Sequence, residues 1–200
     1  VKDMGFNMLR KHAKVENRRW YSLCDHMGIL VMQDMPSGGF TEYDQKTLGV
    51  LPSLGFRYRK DDGTDPKLVR SEASKLAYYE ELDAMLDELY NVTCIFAWVP
   101  FNEGWGQFSS DQVTRRIKQY DRTRLVDSAS GWFDQGCGDF KSIHDYFFPF
   151  HANAKDKKRI LILSEFGGYS YLEWGHTTCN QLYGYKKFKD KTKLDDAINH

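Results

Sequence analysis

Ile95-Phe96-Ala97-Trp98-Val99-Pro100-Phe101-Asn102-Glu103-Gly104-Trp105 decides the fold, together with Ile160-Leu161-Ile162-Leu163-Ser164-Glu165-Phe166-Gly167-Gly168. In each stretch a short apolar run ends in a glutamate followed by glycine. A continuous apolar run of this length reads as a strand buried on both faces, as in parallel sheets. The glutamate then stands at the strand's C-terminal end. In a parallel β/α barrel that end carries the catalytic groups. Two carboxylates converging there are the equipment for cleaving a glycosidic bond.

Working outward, strands and helices alternate. Gly5 to Arg10 reads as a strand, and Glu16 to His26 as a helix stopped by Gly28. Gly28 to Gln33 is a buried strand. Met35 to Asp65 has prolines, glycines and little periodicity, and reads as a long loop. Pro66 to Tyr90 reads as one helix, with Leu76, Tyr79, Leu82, Met85, Leu86 and Leu89 forming its apolar stripe. After the strand Thr93 to Phe101 come a helix (Asp111 to Tyr120), a short strand (Arg124 to Asp127) and a glycine-rich loop (Gly131 to Phe140). Ser142 to Tyr146 and Arg159 to Ser164 are strands, separated by a short helix at Ala152 to Lys158. Tyr169 to Lys193 reads mostly as loop, and Leu194 to His200 as the start of a helix.

Alternation alone does not separate a barrel from a doubly wound sheet. No glycine-rich phosphate loop follows a strand, so dinucleotide and P-loop binding are unsupported. Residues suited to catalysis stand instead at many strand ends: Arg10, Asp34, Glu103, Asp127, Tyr146 and Glu165. A doubly wound sheet concentrates them at one switch point. The fold class is therefore α/β, a partial (β/α)8 TIM barrel in a single domain over residues 1–200.

Composition excludes other classes. The 28 basic and 28 acidic residues balance, so no nucleic-acid or anionic-membrane partner is expected. No apolar run approaches the roughly 20 residues of a membrane helix. Cys24, Cys94, Cys137 and Cys179 are scattered without a C-x-x-C pair, which argues against a disulfide framework or a zinc site. Asn91-Val92-Thr93 is formally a glycosylation sequon, but it leads into a strand. The start at Val1, in mid-element, reads as a piece of a larger protein, and leaves the compartment open. Aromatic residues make up 15%. Most must fill the core, and some are expected to line a sugar cleft.

The two carboxylates suit different roles. Glu103 follows Asn102, whose amide can hold a sugar hydroxyl, and has Trp98, Phe101 and Trp105 as apolar neighbours. That suits a general acid/base. Arg10 and Tyr146, at strand ends, can donate to Glu165 and keep it charged, which suits a nucleophile. A retaining pair places the two carboxyl groups roughly 4–7 Å apart in an empty site. His144 alternates with Tyr146 and faces the barrel interior or mouth, whereas His26, on a helix, reads as structural. Trp132 in the glycine-rich loop, with Arg10, Asp34, Asn102, Trp105, His144 and Tyr146, completes the substrate-binding candidates. A metal cluster of Asp34, Asp127, His144 and Glu165 lacks local ligand spacing, so no metal or other cofactor is assigned. No G-x-S-x-G elbow is present.

At these residues the chain resembles glycoside hydrolase family 2, the β-galactosidases, β-glucuronidases and β-mannosidases. Gly5-Phe6-Asn7-Met8-Leu9-Arg10 resembles the family's second barrel strand, whose arginine lies beside the nucleophile. The run from Trp20 to Val31 is similar to its following helix and third strand. Asn102-Glu103 matches the acid/base motif, and Ser164-Glu165-Phe166-Gly167-Gly168 the nucleophile motif. His144-Asp145-Tyr146 resembles the sixth-strand segment, whose tyrosine hydrogen-bonds the nucleophile. Two departures lie where sugar hydroxyls are read. His12 stands one place earlier than the histidine of galactosidase-like members, and Gln33-Asp34-Met35-Pro36 replaces an Asp-Glu pair. The first and eighth barrel strands and the upstream β-sandwich domains find no match. The six strands are then numbers two to seven.

The resemblance implies a retaining O-glycosidase acting on a carbohydrate substrate in carbohydrate metabolism. Two rivals stand beside it: a carbohydrate-binding or scaffold piece without turnover, and a metal-dependent hydrolase. A barrel lacking its closing strands has open edges, which recruit another chain. Self-association through those edges, with little activity in the isolated piece, is the corresponding expectation.

Overall fold

The computed structural model describes residues 1–38, 50–56, 58–147 and 156–199. Strands β1 (Met8–Lys11), β2 (Leu30–Asp34), β3 (Ile95–Val99) and β4 (Leu125–Val126) form a parallel sheet in that order. β5 (Phe140–Asp145) and β6 (Ile160–Phe166) form a second parallel pair. Asp139 joins the two: its N–H donates to Val126 O at 2.8 Å, and its Oδ2 accepts from the Val126 N–H at 2.7 Å. The six strands are an arc of a TIM barrel. Among the described residues, β1 and β6 each have a strand partner on one side only.

Helices α1 (Arg18–Met27), α3 (Glu72–Leu89) and α4 (Ser110–Tyr120) cross between successive strands, with one turn, α2 (Leu51–Ser53), in the long connection after β2. Their boundaries have local causes. Asn17 caps α1, its side chain accepting from the Trp20 N–H, and Gly28 ends the helix in the left-handed region. Asp61, from the loop before α3, caps α4 by accepting from the Ser110 N–H at 3.1 Å. The core lies mainly between the helices and the outer face of the sheet, where Tyr21, Val31, Leu82, Leu86, Trp98 and Ile117 are buried together. A smaller cluster of Met32, Ala97, Val99 and Phe140 fills the inner face. No helix among the described residues is long and apolar enough to cross a membrane.

Three segments differ from the sequence reading. The helix expected from Pro66 is broken in two. A 3-10 turn at Pro66–Leu68, capped by Asp65, ends at extended Val69, and Ser71 caps a fresh start at Glu72. The stripe of α3 also turns. Leu76 is 61% exposed, and Tyr78 takes the buried place, stacking on Phe101 and donating to Pro100 O at 2.8 Å. Both residues satisfy a helical period; the aromatic partner across the interface selects one. Within the expected loop after β6, β7 (Tyr169–Tyr171) and β8 (Lys186–Phe188) pair in parallel, followed by α5 (Lys191–Asn199). Residues 152–155 of the expected short helix lie outside the described residues, and 156–158 are not helical.

Candidate active site

The ends of β3, β5 and β6 meet at a cleft of about 650 Å³. Asn102, Glu103, Trp105, Tyr146, Ser164 and Glu165 line it. Glu103 reaches it through strain. Its φ is +49°, a left-handed value that non-glycine residues adopt at a cost of about 1–3 kcal/mol. The surrounding backbone holds it there. Glu103 N–H donates to Ser130 O at 3.0 Å, Ser130 N–H to Phe101 O at 2.9 Å, and Trp105 N–H to Asn102 O at 2.9 Å.

Arg10 is the hub of the site. Its Nε and Nη2 grip the two oxygens of Asp34 at 2.8 and 2.9 Å. Its Nη1 donates to Glu165 Oε1 at 2.6 Å, and Nη2 also to Asn102 Oδ1 at 2.8 Å. One planar fork thus fixes three side chains, from β2, from the segment after β3 and from β6. Burial works against the charges of Arg10 and Asp34. The pair overcomes it, holding Arg10 above its usual value and, with the His12 hydrogen bond, Asp34 below the usual carboxylate range.

Tyr146 touches both glutamates. Its hydroxyl lies 2.5 Å from Glu165 Oε2 and 2.9 Å from Glu103 Oε1. Burial and the two carboxylates keep the phenol protonated far above its ordinary range. His144 Nδ1 is 2.8 Å from Glu103 Oε1, and its Nε2 is 3.2 Å from Arg10 Nη1. Guanidinium only donates, so Nε2 accepts and the imidazole proton sits on Nδ1, directed at Glu103. Gly131 makes room for that ring: a Cβ there would lie 2.4 Å from His144 Cγ. One oxygen each of Glu103 and Glu165 and one nitrogen of His144 lie within 4.8 Å of one another.

The sequence candidates therefore fall into two layers. Glu103, Glu165, Asn102, Trp105 and Tyr146 line the cleft. Arg10, Asp34 and His144, expected as substrate contacts, sit behind it and hold the others, Asp34 being 1% exposed. Trp132 belongs to neither layer: it is 4% exposed and packs against Leu68 and Phe133. The apolar surroundings expected for Glu103 also differ. Trp98 points to the outer core, donating to Asp121 Oδ2 at 2.9 Å, and Phe101 stacks under Tyr78. His144 and Tyr146 surround Glu103 instead. Of the four metal candidates, Asp34 is committed to Arg10 and His12, and Asp127 is buried below the cleft.

Several further residues complete the site, and of these Ser37, Ser130, Tyr183 and Tyr185 carried no sequence signal. His12, beside Asp34, lines the rim together with Ser37, Tyr183 and Tyr185. Ser130, Ser142 and Ser164 form a hydroxyl cluster beneath, with Ser130 Oγ 3.1 Å from His144 Nε2. Asp127 lies in the same layer, its Oδ2 without a hydrogen-bond partner among the described residues. Burial raises its carboxyl above the usual range, against the pull of Arg10, the Ser142 and Ser130 hydroxyls and His144. A raised carboxyl favours the fold while protonated, and that benefit is lost as pH climbs from the usual carboxylate value through the raised one. Asp127→Asn, which mimics the neutral form, should therefore be more stable than the native chain at neutral pH. The gain should vanish near pH 4, roughly the unfolded value. Urea midpoints at the two pH values check this. Equal destabilisation at both would contradict it.

Comparison with known proteins agrees with the arc of strands. Residues 1–192 match the family model described as "Glycosyl hydrolases family 2, TIM barrel domain". A β-galactosidase of Pectobacterium atrosepticum is 25% identical over 194 residues, covering 94% of this chain and 17% of that protein. Among solved structures, a GH2 β-galacturonidase from Eisenbergiella tayi bound to glycerol superposes with a TM-score of 0.56 at 17% identity, over 85% of this chain and 31% of that one. A β-D-glucuronidase of Dictyoglomus thermophilum gives 0.55 at 15% identity, over 88% and 32%. At such identities the structural likeness speaks for the fold alone. The chain spans about a sixth of the galactosidase and a third of the two structures.

Proposed function

The chain belongs to glycosyl hydrolases family 2, by its TIM barrel domain, and on that premise we propose that it carries the catalytic centre of a retaining β-glycosidase. Glu165 is the nucleophile and Glu103 the general acid/base. The observation that carries the assignment is an asymmetry of donors. Both oxygens of Glu165 receive strong donors, Arg10 at 2.6 Å and Tyr146 at 2.5 Å, and one donor is a fixed cation. Such donors hold both oxygens in place, as a group that attacks an anomeric carbon requires. Among the described residues no guanidinium or ammonium reaches Glu103; His144 and Tyr146 both contact its Oε1. It suits the group that gives and takes a proton.

Separation supports retention. A retaining pair stands about 5–5.5 Å apart, and an inverting pair about 6.5–9.5 Å apart to admit a water. Here the facing oxygens of the two carboxylates lie within 4.8 Å of each other, a nearest-atom distance that fits the retaining spacing and is too short for the wide end of the inverting range. In the reaction Glu103 protonates the leaving oxygen as Glu165 bonds to the anomeric carbon. Glu103 then takes a proton from water, which displaces Glu165 with restored configuration. Asn102, positioned by Arg10, faces the cleft beside Glu103, where its amide can hold a ring hydroxyl.

The substrate class is a β-linked glycoside, and the relatives' names suggest galactosides, galacturonides and glucuronides as a first panel. The experiment is proton NMR of the hydrolysis of an aryl β-glycoside by the intact protein. The β-anomer should form first. First formation of the α-anomer would overturn retention. The same three-atom group of Glu103, His144 and Glu165 has donor types that bind metal ions. Arg10 Nη1, 2.6 Å from Glu165 and 3.2 Å from His144, already places positive charge there and disfavours a second cation. Hydrolysis unaffected by a chelator separates the two readings.

A further inference from the structure

The geometry points to Tyr185 as a positioning residue for the reaction: it fixes the ring of Tyr146, and so the hydroxyl shared by the two glutamates. This rests on the glycosidase reading for its kinetic consequence, but its structural basis is independent of that reading. Tyr146 stands just past the end of β5, one residue beyond its last ladder pair, Asp145 with Phe166. Its hydroxyl must nevertheless meet two carboxylate oxygens at once. A small tilt of the ring would break one contact.

Tyr185 prevents the tilt. Its ring stacks on Tyr146 with centroids 4.3 Å apart and planes 21° apart. Phe147 closes on the edge of Tyr185 at 5.2 Å and 80°. Tyr185 is itself tied to the nucleophile's own loop, since its N–H donates to Gly168 O at 2.9 Å. Gly168 also provides the seat. A Cβ there would lie 2.4 Å from Tyr185 Cδ2, so any side chain would displace the ring. The segment leading into β8 thus passes over the turn after Glu165 and presses Tyr146 toward Glu165 and Glu103. Gly168, three residues after the nucleophile, thus acquires a purpose: it lets the clamp cross close to the backbone. Tyr185 also lines the cleft, so a substrate contact must be separated from the clamp by experiment.

The test is a double-mutant cycle on the intact protein, with kcat and KM measured for one aryl β-glycoside. Tyr185→Leu should lower kcat about three- to tenfold, the size expected for losing one ring stack. Tyr185→Phe, which keeps the ring, should stay within about twofold. In a Tyr146→Phe background, Tyr185→Leu should have no further effect on kcat. An equal loss in both backgrounds, or no loss in either, would overturn the clamp. A second readout needs no activity. With 3-fluorotyrosine incorporated, the fluorine resonance of Tyr146 is identified by its absence in Tyr146→Phe. It should move in Tyr185→Leu and in Gly168→Ala, and stay in place in Tyr185→Phe. An unmoved resonance in Tyr185→Leu would overturn the proposal. A native protein that hydrolyses no β-glycoside but shows these shifts would sink the glycosidase reading and leave the clamp standing.

Discussion

Glu165→Gln should cost hydrolysis on the order of 10⁴-fold or more in kcat, whatever the leaving group. Both chemical steps pass through the bond between this carboxylate and the anomeric carbon. An amide cannot form that bond, and a better leaving group does not compensate. The substitution is nearly isosteric, so the fold should survive. One end of the amide can still accept from Tyr146, while its NH2 would face the Arg10 Nη1 that now donates to Oε1. Arg10 stays anchored on Asp34 through two other bonds, so the damage stays local. An unchanged urea midpoint alongside the kinetic loss would establish that chemistry, not folding, is affected. Residual activity above about 1% with an activated substrate would contradict the assignment.

Glu103→Ala should behave differently, and the difference identifies its role. Loss of a general acid costs about 10²- to 10⁴-fold where the leaving group needs a proton. A dinitrophenolate leaves without one, so its departure should be largely spared. The slow step then becomes attack of water on the glycosyl-enzyme, because the base is missing as well. Azide is a nucleophile that needs no base and fits the space the side chain vacates. Added azide should restore turnover and yield the β-glycosyl azide. If azide instead rescues a Glu165→Ala variant to the β-product, the roles are reversed. If both glutamate variants respond alike to leaving group and azide, the two-role scheme fails.

The strands were legible because their signal is local. A run such as Ile160 to Leu163 followed by a glutamate states both a buried strand and what it delivers, and the order Arg10, Glu103, Tyr146, Glu165 along the chain follows the order of strands around the arc. What escaped was set by contacts distant in sequence. Leu76 and Tyr78 lie on neighbouring lines of the same helix, and Phe101 decides between them. Trp132 stands in a glycine-rich loop, where neither period nor neighbours say which way an indole turns; Leu68 and Phe133 draw it inward. Ser130, Ser142 and Ser164 are small and polar, so nothing local marks them as barrel interior. Tyr185 lies in a segment without periodicity, and its place depends on the absence of a side chain at Gly168. The strain at Glu103 is equally silent in sequence, because a glutamate with φ of +49° is tolerated only when the surrounding backbone imposes it.

The central claim is a covalent bond to Glu165. The most direct measurement traps it. A 2-deoxy-2-fluoro β-glycoside with a dinitrophenolate leaving group, in the sugar series the intact protein accepts, forms the glycosyl-enzyme faster than water can release it. Mass spectrometry of proteolytic peptides should then find one fluoroglycosyl group, on the peptide holding Ser164-Glu165-Phe166, with fragmentation locating it on Glu165. Label on Glu103, or turnover that leaves every peptide unmodified and releases the inverted sugar, would contradict the account.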